Sequence, residues 1–199
     1  MSIKISHIDP DYMKKLYDLT KICYPDISIE NLNKNDIRRL IRRFVRNKDI
    51  VLQSVHMLLR IKCPIFVYND LTNYMKKIKF SNVNYQLDDI SFSIPDNFKD
   101  KDKSAMLSLF KKVNSTLKSL SKDLPEKEIT YILPMASIVT FDAYVDFLEI
   151  FDMVATINKS VVHPTTNEFI GRLFDLVNSE YPVFFTKQNL EIYIANKEK

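Results

Sequence analysis

Apolar positions along the chain alternate between two periods, and the switches between them mark the predicted elements. Ile3, Ile5 and Ile8 alternate imperfectly with polar residues and predict a short strand over Ser2 to Ile8. Asp9-Pro10 then suits an N-cap and a first helical residue, and Met13, Leu16, Tyr17, Leu19 and Ile22 form a helical stripe up to Tyr24-Pro25. After the polar connection Asp26 to Asn35, Asp36 suits the N-cap of a helix over Ile37 to Asn47. Its residues Ile37, Leu40, Ile41, Phe44 and Val45 share one face. Val51 to Ile61 is a long apolar stretch that predicts a largely buried strand. Pro64 opens a helix to about Lys77, and Leu87 to Pro95 returns as a strand before the charged loop Asp96 to Lys103. Met106, Leu109, Phe110, Val113, Leu117 and Leu120 predict a long amphipathic helix. A short helix follows from Pro125, closing at Ile132-Leu133-Pro134. The rest reads as a strand over Ser137 to Val145 and helices over Asp146 to Ala155, Thr166 to Ser179 and Lys187 to Lys197.

Composition narrows the function classes. A chain of 199 residues with 46% hydrophobic content is long enough for one domain with its own core, without disulfide or metal. Cys23 and Cys63 lie in apolar segments with no Cys/His cluster around them, so neither a disulfide framework nor a zinc site is signalled. No apolar run reaches membrane-spanning length and no signal-peptide pattern opens the chain, so the expected location is the cytoplasm, with no membrane partner. A single glycine, Gly171, excludes Gly-rich phosphate loops, whose close backbone approach needs several. The net charge of +4 does not by itself imply nucleic acid. Its distribution is uneven, because Arg38, Arg39, Arg42, Arg43 and Arg46 all fall on the helix Ile37 to Asn47. Five guanidiniums there suit an acidic partner, either nucleic-acid phosphate or an acidic protein, and equally suit a solvated face.

Lys62-Cys63-Pro64-Ile65-Phe66-Val67 leads into a helix ending Asn73-Tyr74-Met75, and the following strand ends Ile94-Pro95. Lys21-Ile22-Cys23-Tyr24 closes the first helix, and Ile132-Leu133-Pro134 closes the short one. In this order the segments resemble the flavin-dependent thymidylate synthases, the ThyX family, over nearly the whole chain. Members of that family run Lys-Ala-Pro-Ile-Phe-Val-Ala-Arg-Gln into a helix ending Arg-His-Arg. The resemblance implies an α+β fold, a mixed sheet packed with helices in one domain covering residues 1–199, and active sites between subunits of a tetramer. It also implies dUMP, FAD and methylenetetrahydrofolate as the family's ligands.

The residues that carry this chemistry in the family are replaced. Its Arg-His-Arg becomes Asn73, Tyr74 and Met75, and its serine falls at Val83 or Asn82 with Ser81 close by. The next arginine becomes Asn84, the flavin-associated Glu-His becomes Gln53-Ser54, and a further arginine becomes Thr140. A later arginine and histidine fall near Ile157 and Val161. His56, two residues after Ser54, is expected on the same strand face. Asp142 and Asp146 bracket a strand end with no histidine expected nearby, and the adjacent Asp88 and Asp89 face opposite ways if that segment is a strand. No catalytic or metal-binding residue is therefore assigned. The expectation is a non-catalytic relative without cofactor, a homo-oligomer or a subunit of a larger complex, with a viral or phage assembly as one setting and the virion as its location there. Two other readings stay open: an active FAD-dependent enzyme with relocated contacts, and a nucleic-acid-associated module using the arginine helix.

Overall fold

The computed structural model describes residues 1–85, 90–94 and 98–197, and the side chains of all of these except Glu30, Glu126 and Lys127. A four-stranded sheet in the order β1 (Ser2–Ile8), β2 (His56–Pro64), β4 (Ile138–Asp146), β3 (Lys79–Phe80) organises it. Every pairing of these strands is antiparallel, where a mixed sheet was expected; the α+β class stands. The alternation along β2 and β4 is decisive. Met57, Leu59, Ile61 and Cys63, with Val139, Phe141, Ala143 and Val145, point to one face and are buried. Arg60 and Asp142 pair across the strands on the other face, Arg60 giving two hydrogen bonds of 2.9 and 3.1 Å to the carboxylate.

Helices cover the apolar face. They are α1 (Tyr12–Cys23), α2 (Lys34–Asn47), α3 (Ile50–Gln53), α4 (Ile65–Tyr74), α7 (Phe147–Lys159), α8 (Pro164–Glu180) and α9 (Lys187–Lys197), and residues of all seven join the sheet in one hydrophobic cluster. Helix α7 is at its centre, with Phe147, Leu148, Ile150, Phe151, Met153, Val154, Ala155 and Ile157 all buried. Asp146 starts it with a capping box. Its carboxylate accepts from the Glu149 backbone at 2.7 Å, and Glu149 accepts from the Asp146 backbone at 2.8 Å. The C-terminal segment docks through aromatic contacts, Phe185 lying 5.0 Å from Phe147 and Tyr193 5.7 Å from Phe151. A second, small cluster of Ile90, Leu117 and Ile129 joins the 21-residue helix α5 (Asp100–Leu120) to α6 (Glu126–Ile129).

Several boundaries differ from the expected ones, each for a local reason. The stretch Val51 to Ile61 is not one strand. Asp49 accepts a hydrogen bond from the Val51 backbone and starts the turn α3, so the strand begins only at His56. Helix α2 is capped by Asn33, which accepts from the Asn35 and Asp36 backbones, and Asp36 lies inside its first turn. Pro64 is the residue before α4, and that helix stops at Tyr74 with no turn left for Lys77. Helix α5 takes in Asp100 to Lys103, where the run of charges predicts a loop. Of the expected strand Leu87 to Pro95, residues 87–89 and Pro95 lie outside the described residues. Among the described ones Phe92 makes an isolated bridge to Ser137. Strand β3 was not anticipated. Lys48, in the left-handed conformation at φ 50°, closes α2 where glycine is usual.

Candidate functional site

Helix α4 follows β2 with no intervening loop, and its first free backbone N–H groups find carbonyls rather than side chains: Ile65 donates to Ser137 at 2.9 Å and Phe66 to Met135 at 3.2 Å. These bonds set α4 against the segment before β4. Its outer side then meets the connection into α8. The Phe66 ring lies 4.5 Å from that of His163, and Asp70 accepts from the Thr166 hydroxyl at 2.6 Å and the His163 backbone at 3.3 Å. His163 also caps α8 through Nδ1, which accepts from the Thr165 backbone. Asp70 and Thr166 were not singled out in the sequence as site residues, and Phe66 entered only within the motif Lys62 to Val67. Their separation of about a hundred residues leaves no local signal.

The positions expected to bear on a nucleotide divide into three groups. Asn73 is exposed, Tyr74 gives a long hydrogen bond (3.4 Å) to the Val161 carbonyl, and Met75 is buried with 4% exposure. Ser81 and Asn84 extend along the free edge of β4. Ser81 exchanges hydrogen bonds with Asp142, its hydroxyl accepting from the Asp142 backbone at 2.8 Å, and Asn84 pairs with Thr140 through backbone bonds of 2.8 and 3.1 Å. Asn82 is exposed between them. Ile157 stands apart as the third, fully buried in α7.

Gln53 and Ser54 are spent on their own turn: Gln53 donates to the Lys48 carbonyl and Ser54 to that of Val51. Ser54 ends α3 and so does not share a strand face with His56, contrary to the expectation that both lie on one strand. His56 instead stacks on Tyr144 at 4.8 Å and pairs in register with Asp146, which corrects the expectation that no histidine stands near that carboxylate. Gln53 lines a cleft of about 470 Å³ with Lys48, Lys77, Asp146, Glu149, Asp152, Tyr193 and Lys197. Burial pushes the Asp146 and Glu149 carboxyls above their ordinary range, against hydrogen bonds from backbone N–H groups. Asp152 accepts from Tyr193 at 3.0 Å and Lys197 at 2.6 Å, so much of the cleft's charge is internally matched.

The arrangement does not suit anionic nucleotide or flavin phosphates at the mapped positions. Asn73, Tyr74, Met75, Asn82, Asn84, Thr140 and Ile157 supply no cation, and two of them lie in the core. Nucleophilic chemistry finds no support at Cys63, whose thiol is pushed up to about 12 by burial. Among the described residues no three of His, Cys, Asp and Glu converge as metal ligands, and no helix is long and apolar enough to cross a membrane. The five arginines of α2 line its outer side. Arg38, Arg39, Arg43 and Arg46 are exposed and Arg42 is half-buried.

No protein-family profile matches the sequence, and no curated protein matches it. The fold does have solved counterparts. Thymidylate Synthase X (ThyX) from Helicobacter pylori, solved with FAD and dUMP, aligns with a TM-score of 0.68 over 96% of this chain and 99% of its own, at 14% identity. A second structure, of flavin-dependent thymidylate synthase ThyX from the same organism complexed with FAD and dUMP, gives 0.67 over 93% and 98%, also at 14% identity. The chain therefore has a ThyX-like fold over most of its length.

Proposed function

We propose that this protein is a non-catalytic subunit built on the ThyX-like fold, retained for assembly with its own copies or with other proteins. The observation that carries the reading is what became of the positions where the resemblance puts cations. Met75 and Ile157 are core residues, Asn84 extends the edge of β4, and Tyr74 reaches to the Val161 backbone. Arginines that hold a phosphate each contribute about 1.5 to 3 kcal/mol of charge-assisted bonding. Here the corresponding side chains are neutral, and several are used in the chain's own packing. FAD and dUMP belong to the solved ThyX structures, and the residues at these positions do not fit either ligand.

An assembly role also draws support from surface apolar residues concentrated in residues 98–135. Phe98, Leu107, Leu109, Tyr131, Ile132 and Met135 are all exposed, Tyr131 by 81%. Helix α5 buries only Phe110 and Leu117 of its apolar stripe, and exposed apolar surface on that scale is typical of an interface.

The test is thermal melting with FAD and with dUMP at millimolar concentration. No shift is expected, whereas a ligand at about one hundred times its dissociation constant adds about 2.7 kcal/mol. The same preparation is expected to sediment as more than a monomer. A rise of several degrees with either ligand would falsify the non-catalytic reading in favour of a FAD-dependent enzyme with relocated contacts.

A further inference from the structure

From the outer side of α2 we infer a docking surface for the phosphodiester backbone of nucleic acid, bound without base recognition. The chain has seven arginines, and the two outside α2 are both matched to carboxylates, Arg60 to Asp142 and Arg172 to Glu168. On α2 the balance is reversed. Only Arg39 has a carboxylate within 4 Å among the described residues, Asp36 at 3.9 Å, and Arg43 lies over the Tyr24 ring at 4.7 Å. Arg38, Arg42 and Arg46 have no carboxylate partner among the described residues. They stand four residues apart along a line of about 12 Å, so that like charges adjoin on one helix face, an arrangement that disfavours the helix until an anion is supplied.

The geometry also selects the kind of anion. At about 100° per residue, Arg38 and Arg42 form one row, Arg39 and Arg43 a second about 100° around the axis, and Arg46 lies between them. These positions make up the outward arc from Arg38 round to Arg43. Leu40, Ile41, Phe44 and Val45 turn inward to the core or pack against it. An interface with an acidic protein needs an apolar centre around its charges, and this arc has none. A repeating phosphate backbone needs only guanidiniums at intervals, which present paired donors to each phosphate. The arc itself carries no aromatic residue, and the Tyr24 ring beside it is covered by Arg43, so binding is to the backbone and independent of sequence.

The test uses the full chain and two fluorescein-labelled 20-base-pair duplexes of unrelated sequence, with anisotropy read across a salt series. Five phosphate contacts give a slope of log K against log salt of about −4.5, hence about 500-fold weaker binding on going from about 50 to 200 mM salt. Both duplexes are expected to bind within twofold of each other. The variant Arg38→Gln/Arg42→Gln/Arg46→Gln is expected to bring the slope to about −2 and to melt close to the parent, since the repulsion it relieves offsets the packing lost at half-buried Arg42. Arg172→Gln, on another helix, is expected to leave binding unchanged. The inference is overturned by an absence of duplex binding at low salt, by a slope that the triple variant does not alter, or by polyglutamate binding where duplex does not. The last result assigns the surface to an acidic protein.

Discussion

Replacing Ile157 asks most directly whether a position that the resemblance puts near a ligand is core here. The side chain is fully buried in α7, a helix in which seven other residues are buried too. Ile157→Ala removes three carbons from a packed site and is expected to destabilise by about 2 to 5 kcal/mol, according to how far the neighbours close the cavity. In a domain of this size each kcal/mol lowers the melting temperature by about 2 to 4 °C, so a fall of roughly 4 to 20 °C is expected. Ile157→Arg is far more severe. It adds overpacking of about 1 to 3 kcal/mol to the cost of burying a guanidinium without a partner, several kcal/mol more. Against a total stability of about 5 to 15 kcal/mol, the variant is expected to be largely unfolded or insoluble. Asn73→Arg, at an exposed position where the resemblance also puts an arginine, is expected to stay within about 0.5 kcal/mol of the parent. Differential scanning fluorimetry on the three variants decides the matter. If Ile157→Arg melts with the parent, position 157 reaches solvent or a polar cavity, and the argument from a filled core fails.

Two further expectations follow from single residues. Gly171 lies on the exposed side of α8 with ordinary helical φ, and a Cβ there meets nothing within 4 Å. Gly171→Ala is thus expected to stabilise by about 0.8 to 1 kcal/mol, read as a rise in denaturation midpoint at constant slope; a fall would mean that the site is less open than described. Burial raises the Asp146 carboxyl from its reference of 3.8, so the folded state holds that proton more tightly than the unfolded state does. The associated stability is present below 3.8 and is lost as pH rises through the folded value. Asn caps a helix as well as Asp, so Asp146→Asn is expected to melt higher than the parent at pH 7, with the gap closing in acid. An equal gap at both pH values would put the effect elsewhere than in this titration.

Much of the fold was legible because its causes are local. The stripe of Ile37, Leu40, Ile41, Phe44 and Val45 on α2 and the alternation along β4 each follow from a period that a short window of sequence contains. The arginine surface of α2 was legible for the same reason, since positions three and four apart on a helix share a side. The segment around Ile50 was not, because an apolar run has the same appearance in a buried strand and in a buried turn of helix. The cap from Asp49 decided between them.

The site depended on separations that no window spans. That Asp70 holds the start of α8 and that His56 lies opposite Asp146 are outcomes of strand register and helix docking. The resemblance read from sequence implies neutral residues where the family has cations. Only the tertiary structure decided which of the substitutes are exposed, as Asn73 is, and which are packed away, as Met75 and Ile157 are. The physical reason is that a side chain's type sets what it can bind, whereas its burial is set by which distant elements the sheet and the central helix bring against it.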